Sequence, residues 1–215
     1  MALPLDPELA QRLRDVSLPT LGHFLETGFA HATLRALVPH AKLVGRAVTP
    51  QLRSPDAIAV NRALARLAPG DVLVIDMRDD HAHACVGAVT ATAAQCAGAA
   101  GIVIDGVATD AVELRQIGLP VFARGTSALT TKRLDDGASA FGVPVQCGGV
   151  TVAPGAIVIA DDNGVLFSDA ATLASVIDAA LASDRAEPAL LARLRAGEPA
   201  ADVLCVPSHN EYSPR

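Results

Sequence analysis

The sequence has no tryptophan, one tyrosine and five phenylalanines among its 215 residues. A core with so few rings must be built from Ala, Val, Leu and Ile, and the aromatic platforms on which single-stranded nucleic acids stack are missing. No basic run is longer than Lys132-Arg133 and the formal net charge is -6, so the electrostatic footprint of a nucleic-acid binder is lacking too. The four cysteines, Cys85, Cys96, Cys147 and Cys205, show no C-x-x-C spacing, which argues against zinc clusters and thioredoxin-type chemistry. With no signal peptide legible, they read as reduced thiols. Gly, Asp or Pro interrupts every apolar stretch well short of the roughly 18 residues that a membrane helix needs. The expectation is a soluble, cytoplasmic protein with neither membrane nor nucleic acid as partner.

What is present favours a folded α/β protein. Apolar residues make up 51% of the chain and charged ones 19%, a balance that disordered chains do not have. A chain of this length buries roughly 70% of its unfolded surface if it folds as one domain, enough to do without disulfides. Asp6-Pro7-Glu8 is a helix start, with an N-cap, a proline at the first helical position and an acid at the positive end. A second short helix is predicted over 21–27, between Thr20 and Gly28. Leu43 to Thr49 is strand-like, and Ser54-Pro55-Asp56 opens a further helix.

The middle of the chain is the most informative. Val72-Leu73-Val74-Ile75, Ile102-Val103-Ile104 and Pro120-Val121-Phe122-Ala123 are short continuous apolar runs, as strands covered on both faces should be. Helical stretches, Gly87 to Ala97 among them, alternate with these runs, which means parallel crossovers. From Val143 onward, short strands follow one another through Gly, Pro and Asp-Asp-Asn-Gly turns with no helix between them. Ser168-Asp169 then caps a helix predicted to end near Leu181, and another runs from about Arg185 to Arg195. One domain is expected over 1–215: N-terminal helices (1–40), an α/β core (41–167), C-terminal helices (168–206) and a loose tail (207–215).

Ligands of parallel α/β sheets bind beyond the carboxyl ends of the strands. Two segments leave such ends: Asp76 to Val86, with Arg78, Asp79, Asp80, His81, His83 and Cys85, and Asp105 to Asp110. If their strands are neighbours, both face one crevice. The first feeds the N-terminus of the Gly87 helix, whose free N–H groups suit a carboxylate. The residues therefore point to a small anion at Gly87, Ala88 and Val89, beside a hard-cation site on Asp110. Plainer readings stand next to this one. Asp105-Gly106 reads equally as a turn and Asp110 as a helix cap, His81 and His83 as solvated loop residues, and Cys85 and Cys96 as small buried side chains.

Gly87-Ala88-Val89 and Ile104-Asp105-Gly106-Val107-Ala108-Thr109-Asp110 resemble the motif of the family that holds the ribonuclease E activity regulators and the 4-hydroxy-4-methyl-2-oxoglutarate aldolases. Val121-Phe122-Ala123-Arg124-Gly125, Gly148-Gly149-Val150-Thr151-Val152-Ala153-Pro154-Gly155 and Ala160-Asp161-Asp162-Asn163-Gly164-Val165 extend the resemblance over nearly the whole chain. It implies a three-layer β/β/α fold of the swivelling-domain type, flanked by N- and C-terminal helices and assembled as trimers or hexamers. It also implies a divalent metal, Mg or Mn, on Asp110, with backbone N–H groups after Gly87 holding the carboxylate of a small oxo- or hydroxy-acid. The reactions implied are retro-aldol cleavage and decarboxylation.

The chain departs from the motif where chemistry is concentrated. Thr109 stands in place of the motif arginine and Ala88 in place of the motif acid; Gly22-His23 and Ala156 also differ from the family pattern. Three readings follow. A metal-dependent lyase would use Asp110 for the metal, His81 or His83 as replacement base or ligand, and Arg78 or Arg124 for the lost positive charge. A non-catalytic regulator would bind protein partners instead. Another small-molecule enzyme, such as a tautomerase, hydratase or hydrolase, would need similar groups. Glu187 lies where the aldolases extend an acid into a neighbouring subunit, with Glu198 and Glu211 competing for that role.

Overall fold

The computed structural model describes residues 5–204. The apolar runs of the middle region form the centre of a nine-stranded sheet. Asp71–Asp76 and Gly101–Asp105 pair in parallel, in register from Val72 opposite Gly101 to Asp76 opposite Asp105. Leu43–Val48 and Val121–Ala123 flank this pair, also in parallel. Ile157–Asp161 and Gly164–Ser168 continue the sheet antiparallel on one side, and Arg35–Ala36 ends it on the other.

The central runs do not alternate polar with apolar because both faces are covered. Leu73, Ile75, Ile102, Ile104 and Val121 face the helices Ala57–Leu64, Ala88–Cys96 and Ala111–Ile117, meeting Ala59, Ala63, Ala91, Ala94 and Leu114. Val72, Val74, Val103 and Phe122 point the other way, onto Val145, Cys147 and Val152 of an antiparallel hairpin. Helices, sheet and hairpin make the three layers of the β/β/α swivelling-domain type.

The segments beyond the strand ends are more ordered than loops. Ala84–Val86, Val107–Ala108 and Gly125–Thr126 each follow a strand of the large sheet and pair in parallel as a second, three-stranded sheet. The sequence hid these strands because each is only two or three residues long. Their partners are one another, so no hydrophobic period marks them.

Two helical expectations need correction. The second N-terminal helix is Leu18–Leu21, with Ser17 at its cap position, and 22–34 is turn and loop before the short strand Arg35–Ala36. Gly28, at φ +90°, serves a close approach to Phe167, whose N–H donates to its carbonyl. At the other end, a single helix spans Ala170–Arg195 with Pro188 inside it, instead of two helices. Proline removes one backbone hydrogen bond without compelling a break, and the Ala- and Leu-rich flanks carry the helix through. A short helix, Ala200–Val203, follows. Leu173, Ile177 and Ala180 of the long helix pack with Leu13, Val16, Leu18 and Leu21 of the N-terminal segment over Ile159 and Leu166. The expected tail, 207–215, lies outside the described residues.

Candidate functional site

The start of the Ala88–Cys96 helix and the start of the Ala111–Ile117 helix meet at one point. Asp110 occupies the cap position of the second helix, yet its side chain makes no capping bond there. Instead Oδ2 accepts a hydrogen bond from the backbone N–H of Ala88, at 2.9 Å, and the Thr109 hydroxyl approaches Oδ1 at 3.2 Å. The Asp110 backbone is left-handed, at φ +56°, a region that Asp visits more readily than most residues. The plain reading of Asp110 as a cap thus needs a change of object: it sits on the neighbouring helix, where the positive end favours a carboxylate by about 0.3–1 kcal/mol.

Gly87 makes this junction possible. A Cβ there would lie 2.5 Å from Asp110 Oδ2 and 2.8 Å from Thr109 Cγ2, so any side chain would push the carboxylate off the helix. The amides of Val89 and Thr90 follow Ala88 in the first turn and have no intrahelical acceptor, since the first helical bond runs from Ala91 N to the Gly87 carbonyl. Val89 is 85% exposed and Asp110 is exposed, so the junction opens to solvent. It therefore offers one carboxylate for a cation and two free N–H groups for an anion, side by side.

The remaining predicted residues gather elsewhere. Arg78, His81 and Arg124 line a cleft of about 390 Å³ at the seam between the large and small sheets. Arg124 is ion-paired through Nε with Asp105, and its Nη1 donates to the Thr33 hydroxyl at 3.1 Å. His81 Nε2 stands 3.9 Å from Asp105. His83 turns into its own loop, where its Nδ1 lies 2.8 Å from Asp80. Burial works against ionisation of Asp80, but hydrogen bonds from the His83 N–H, the His83 ring and the Ala82 N–H outweigh it and hold the carboxyl below its ordinary value.

The strands sought were neighbours, as the single-crevice expectation required, but the small sheet divides the crevice in two. His83 precedes Ala84–Val86 and Gly87 follows it, so these residues stand roughly 10–13 Å apart along the strand. Gly87, Ala88, Val89, Thr109 and Asp110 form one group; Arg78, His81 and Arg124 form another.

Sequence reasoning missed Asp76 as a site residue and left Asp105 as possible turn chemistry. Both are buried, at 2% and 6% exposure, and both bind backbone N–H groups of the hairpin: Gln146 N on Asp76 and Gly148 N on Asp105, each at 3.1 Å. The available signal was the matching end of two apolar runs, Val74-Ile75-Asp76 and Val103-Ile104-Asp105. Cys85 is buried as expected and its thiol is pushed up to about 12 by burial, whereas Cys96 is exposed. Burial also raises the Cys147 thiol, with Asp105 and Asp76 adding to the effect. Cys205 lies outside the described residues, as does Glu211. Glu187 is exposed on the long helix, and Glu198 is paired with Arg193. Among the described residues, no group of three or more His, Cys, Asp or Glu is gathered as a ligand set for a metal ion, and no helix is long and apolar enough to cross a membrane.

The β/β/α layering is that of a known class of proteins, and comparison with known proteins agrees with it. The RraA-like family model (Aldolase/RraA) matches residues 15–167, so the chain belongs to that family. A protein of Halalkalibacterium halodurans named "Putative 4-hydroxy-4-methyl-2-oxoglutarate aldolase" is 36% identical over 134 residues, which cover 62% of this chain and 63% of that relative's length. The crystal structure of Streptomyces coelicolor RraAS2, described as an unusual member of the RNase ES inhibitor RraA family, superposes with a TM-score of 0.72 at 29% identity, covering 90% of this chain and 99% of that one. The RNA-processing inhibitor RraA from Thermus thermophilis superposes with a TM-score of 0.63 at 26% identity, covering 71% and 92%.

Proposed function

We propose that this chain is a carbon–carbon lyase, of retro-aldol or decarboxylase type, acting on a small oxo- or hydroxy-acid with the help of a divalent cation, Mg or Mn. The observation that carries the reading is the seating of the Asp110 carboxylate on the start of the Gly87 helix, with two amides left free beside it. The aldolase name of the Halalkalibacterium relative points the same way.

The residues present fit a hydrated hard cation held through one carboxylate. Mg²⁺ ordinarily keeps several waters and takes one or two carboxylates, and Asp110 is exposed enough to leave room for that shell. The Thr109 hydroxyl donates to Asp110 Oδ1 and so orients the carboxylate; it supplies no positive charge. In this reading the Val89 and Thr90 N–H groups hold the substrate carboxylate, and the small Ala88 side chain lets it approach the backbone. When bound, a divalent cation supplies the Lewis acidity that stabilises negative charge developing on the oxo oxygen. His81 and His83 serve this site as acid–base groups only from a neighbouring copy, so the reading includes assembly as a homotrimer or hexamer. Arg78 and Arg124 are subject to the same condition.

Oxaloacetate decarboxylation and pyruvate release from 4-hydroxy-2-oxo acids test the reading, measured with Mg²⁺ or Mn²⁺, with EDTA, and in Asp110→Ala. Activity lost with both EDTA and the substitution supports it; activity indifferent to both contradicts it. The second reading is a non-catalytic regulator, favoured by the uncharged Ala88 and Thr109 at the motif positions and by the inhibitor description of the Streptomyces neighbour. For a regulator, Asp110→Ala leaves partner binding intact and no turnover is found in the wild type.

A further inference from the structure

The cleft at the seam between the two sheets is a second polar site within one chain, and the reading above calls on its Arg78, His81 and Arg124 only from a neighbouring copy. Its floor is formed by Asp76 and Asp105, register partners at the ends of adjacent parallel strands, where such sheets place their ligands. Both carboxylates are more than nine-tenths buried. None of the nine residues lining the cleft has an apolar side chain, so an occupant meets hydrogen-bonding and charged groups there.

The charges on the floor are unevenly matched. Asp105 has a counter-ion in Arg124. Asp76 has none: it accepts hydrogen bonds from Gln51 Nε2 at 3.0 Å, from Gln146 N at 3.1 Å and from Arg78 N at 2.6 Å, and no cation lies within ion-pair distance of it among the described residues. Those three donors satisfy the Asp76 oxygens without neutralising a charge, and because Asp76 lines the cleft a cationic donor entering it can add an ion pair. Positive groups look into the same space. Arg124 is held through Nε and Nη1 and makes no bond from Nη2 among the described residues, and the exposed Arg78 guanidinium makes none there either; both line the cleft, with Asp79 and His81 beside them.

We infer that this cleft is a binding site for a small zwitterion of the α-amino acid class. Its ammonium group is received by Asp76 on the floor, and its carboxylate by Arg124 Nη2 and Arg78. A mixed floor and rim of this kind disfavours a simple anion, which would face Asp76, and a simple amine, which would leave the guanidinium groups unused. Within one chain the Asp110 site is separate, at the far end of the small sheet, and the inference does not depend on its activity.

Calorimetric titration of the full chain with polar L-α-amino acids, led by L-serine and L-glutamine, tests this. For serine the matched controls are glycerate, which lacks the ammonium group, and ethanolamine, which lacks the carboxylate. The expected result is binding of at least one amino acid, at least tenfold weaker binding of its controls, and a loss of tenfold or more in Asp76→Asn and in Arg78→Ala. Arg78 is exposed and its side chain makes no contact needed for folding, so that variant keeps the test valid if Asp76→Asn does not fold. No binding by any amino acid of the panel, equal binding of glycerate or ethanolamine, or binding undiminished in Arg78→Ala would overturn the inference.

Discussion

Gly87 shows most plainly how a single residue sets this site. Its extended backbone would suit any amino acid, so the glycine is required by proximity alone: there is no room for a Cβ beneath the Asp110 carboxylate. Gly87→Ala is predicted to displace the exposed Asp110 side chain from the helix start, losing about 0.3–1 kcal/mol of its interaction with the positive helix end. The loss should appear in urea unfolding and be accompanied by weaker cation binding. Asp80 gives a prediction on pH. Its folded-state value is held below the ordinary 3.8 by the His83 and Ala82 hydrogen bonds. A lowered acid contributes stability above its unfolded value, and that contribution is lost as pH falls through the folded one. Asp80→Asn should therefore flatten the fall in stability below about pH 4, as followed by thermal melts across pH 2–6 against wild type. The thiols offer a third check. Cys85 and Cys147 are buried with raised values, so a thiolate-selective reagent at neutral pH should label Cys96 in the native chain and leave these two intact until unfolding.

Among the elements, the Ala170–Arg195 helix divides into two parts. Leu173, Ile177 and Ala180 anchor its first half, whereas 185–193 is exposed throughout and contains Pro188, whose missing N–H leaves the Asp184 carbonyl without its helical donor. Pro188→Ala is expected to raise amide protection in hydrogen exchange over 184–195 without moving the global unfolding transition. Ile177→Ala, by contrast, should lower global stability by about 2–5 kcal/mol through the cavity it leaves. The large parallel strands were legible because a run such as Val72-Leu73-Val74-Ile75 has no polar alternative. The Asp6 cap was legible because its side chain accepts a local bond, from Leu9 N. The small sheet was not, since Val107–Ala108 is defined only by partners far along the chain. For the same reason Asp110 could be singled out from sequence as a candidate, but its seat on Ala88 N could not. Nor could the separation of His81 and His83 from Asp110, which depends on three short strands with no periodic signature.

For the whole molecule, the β/β/α layering places two groups of polar residues at the two ends of the small sheet, one open and centred on Asp110, the other including buried Asp76 and Asp105. The RraA-like family match spans both groups of residues. In the proposed lyase reading the replaced residues, Ala88 and Thr109, are the point on which catalysis turns, because a cation held by one carboxylate would have to work without a second acid or an arginine from this motif. Mn²⁺ binding observed by electron paramagnetic resonance, with and without pyruvate, is the most direct measurement of that claim, since it needs no knowledge of the substrate. The account predicts that wild type binds Mn²⁺, that pyruvate alters the spectrum of the bound ion, and that Asp110→Ala abolishes both effects. Absence of Mn²⁺ binding in wild type, or binding unchanged in Asp110→Ala, would contradict it.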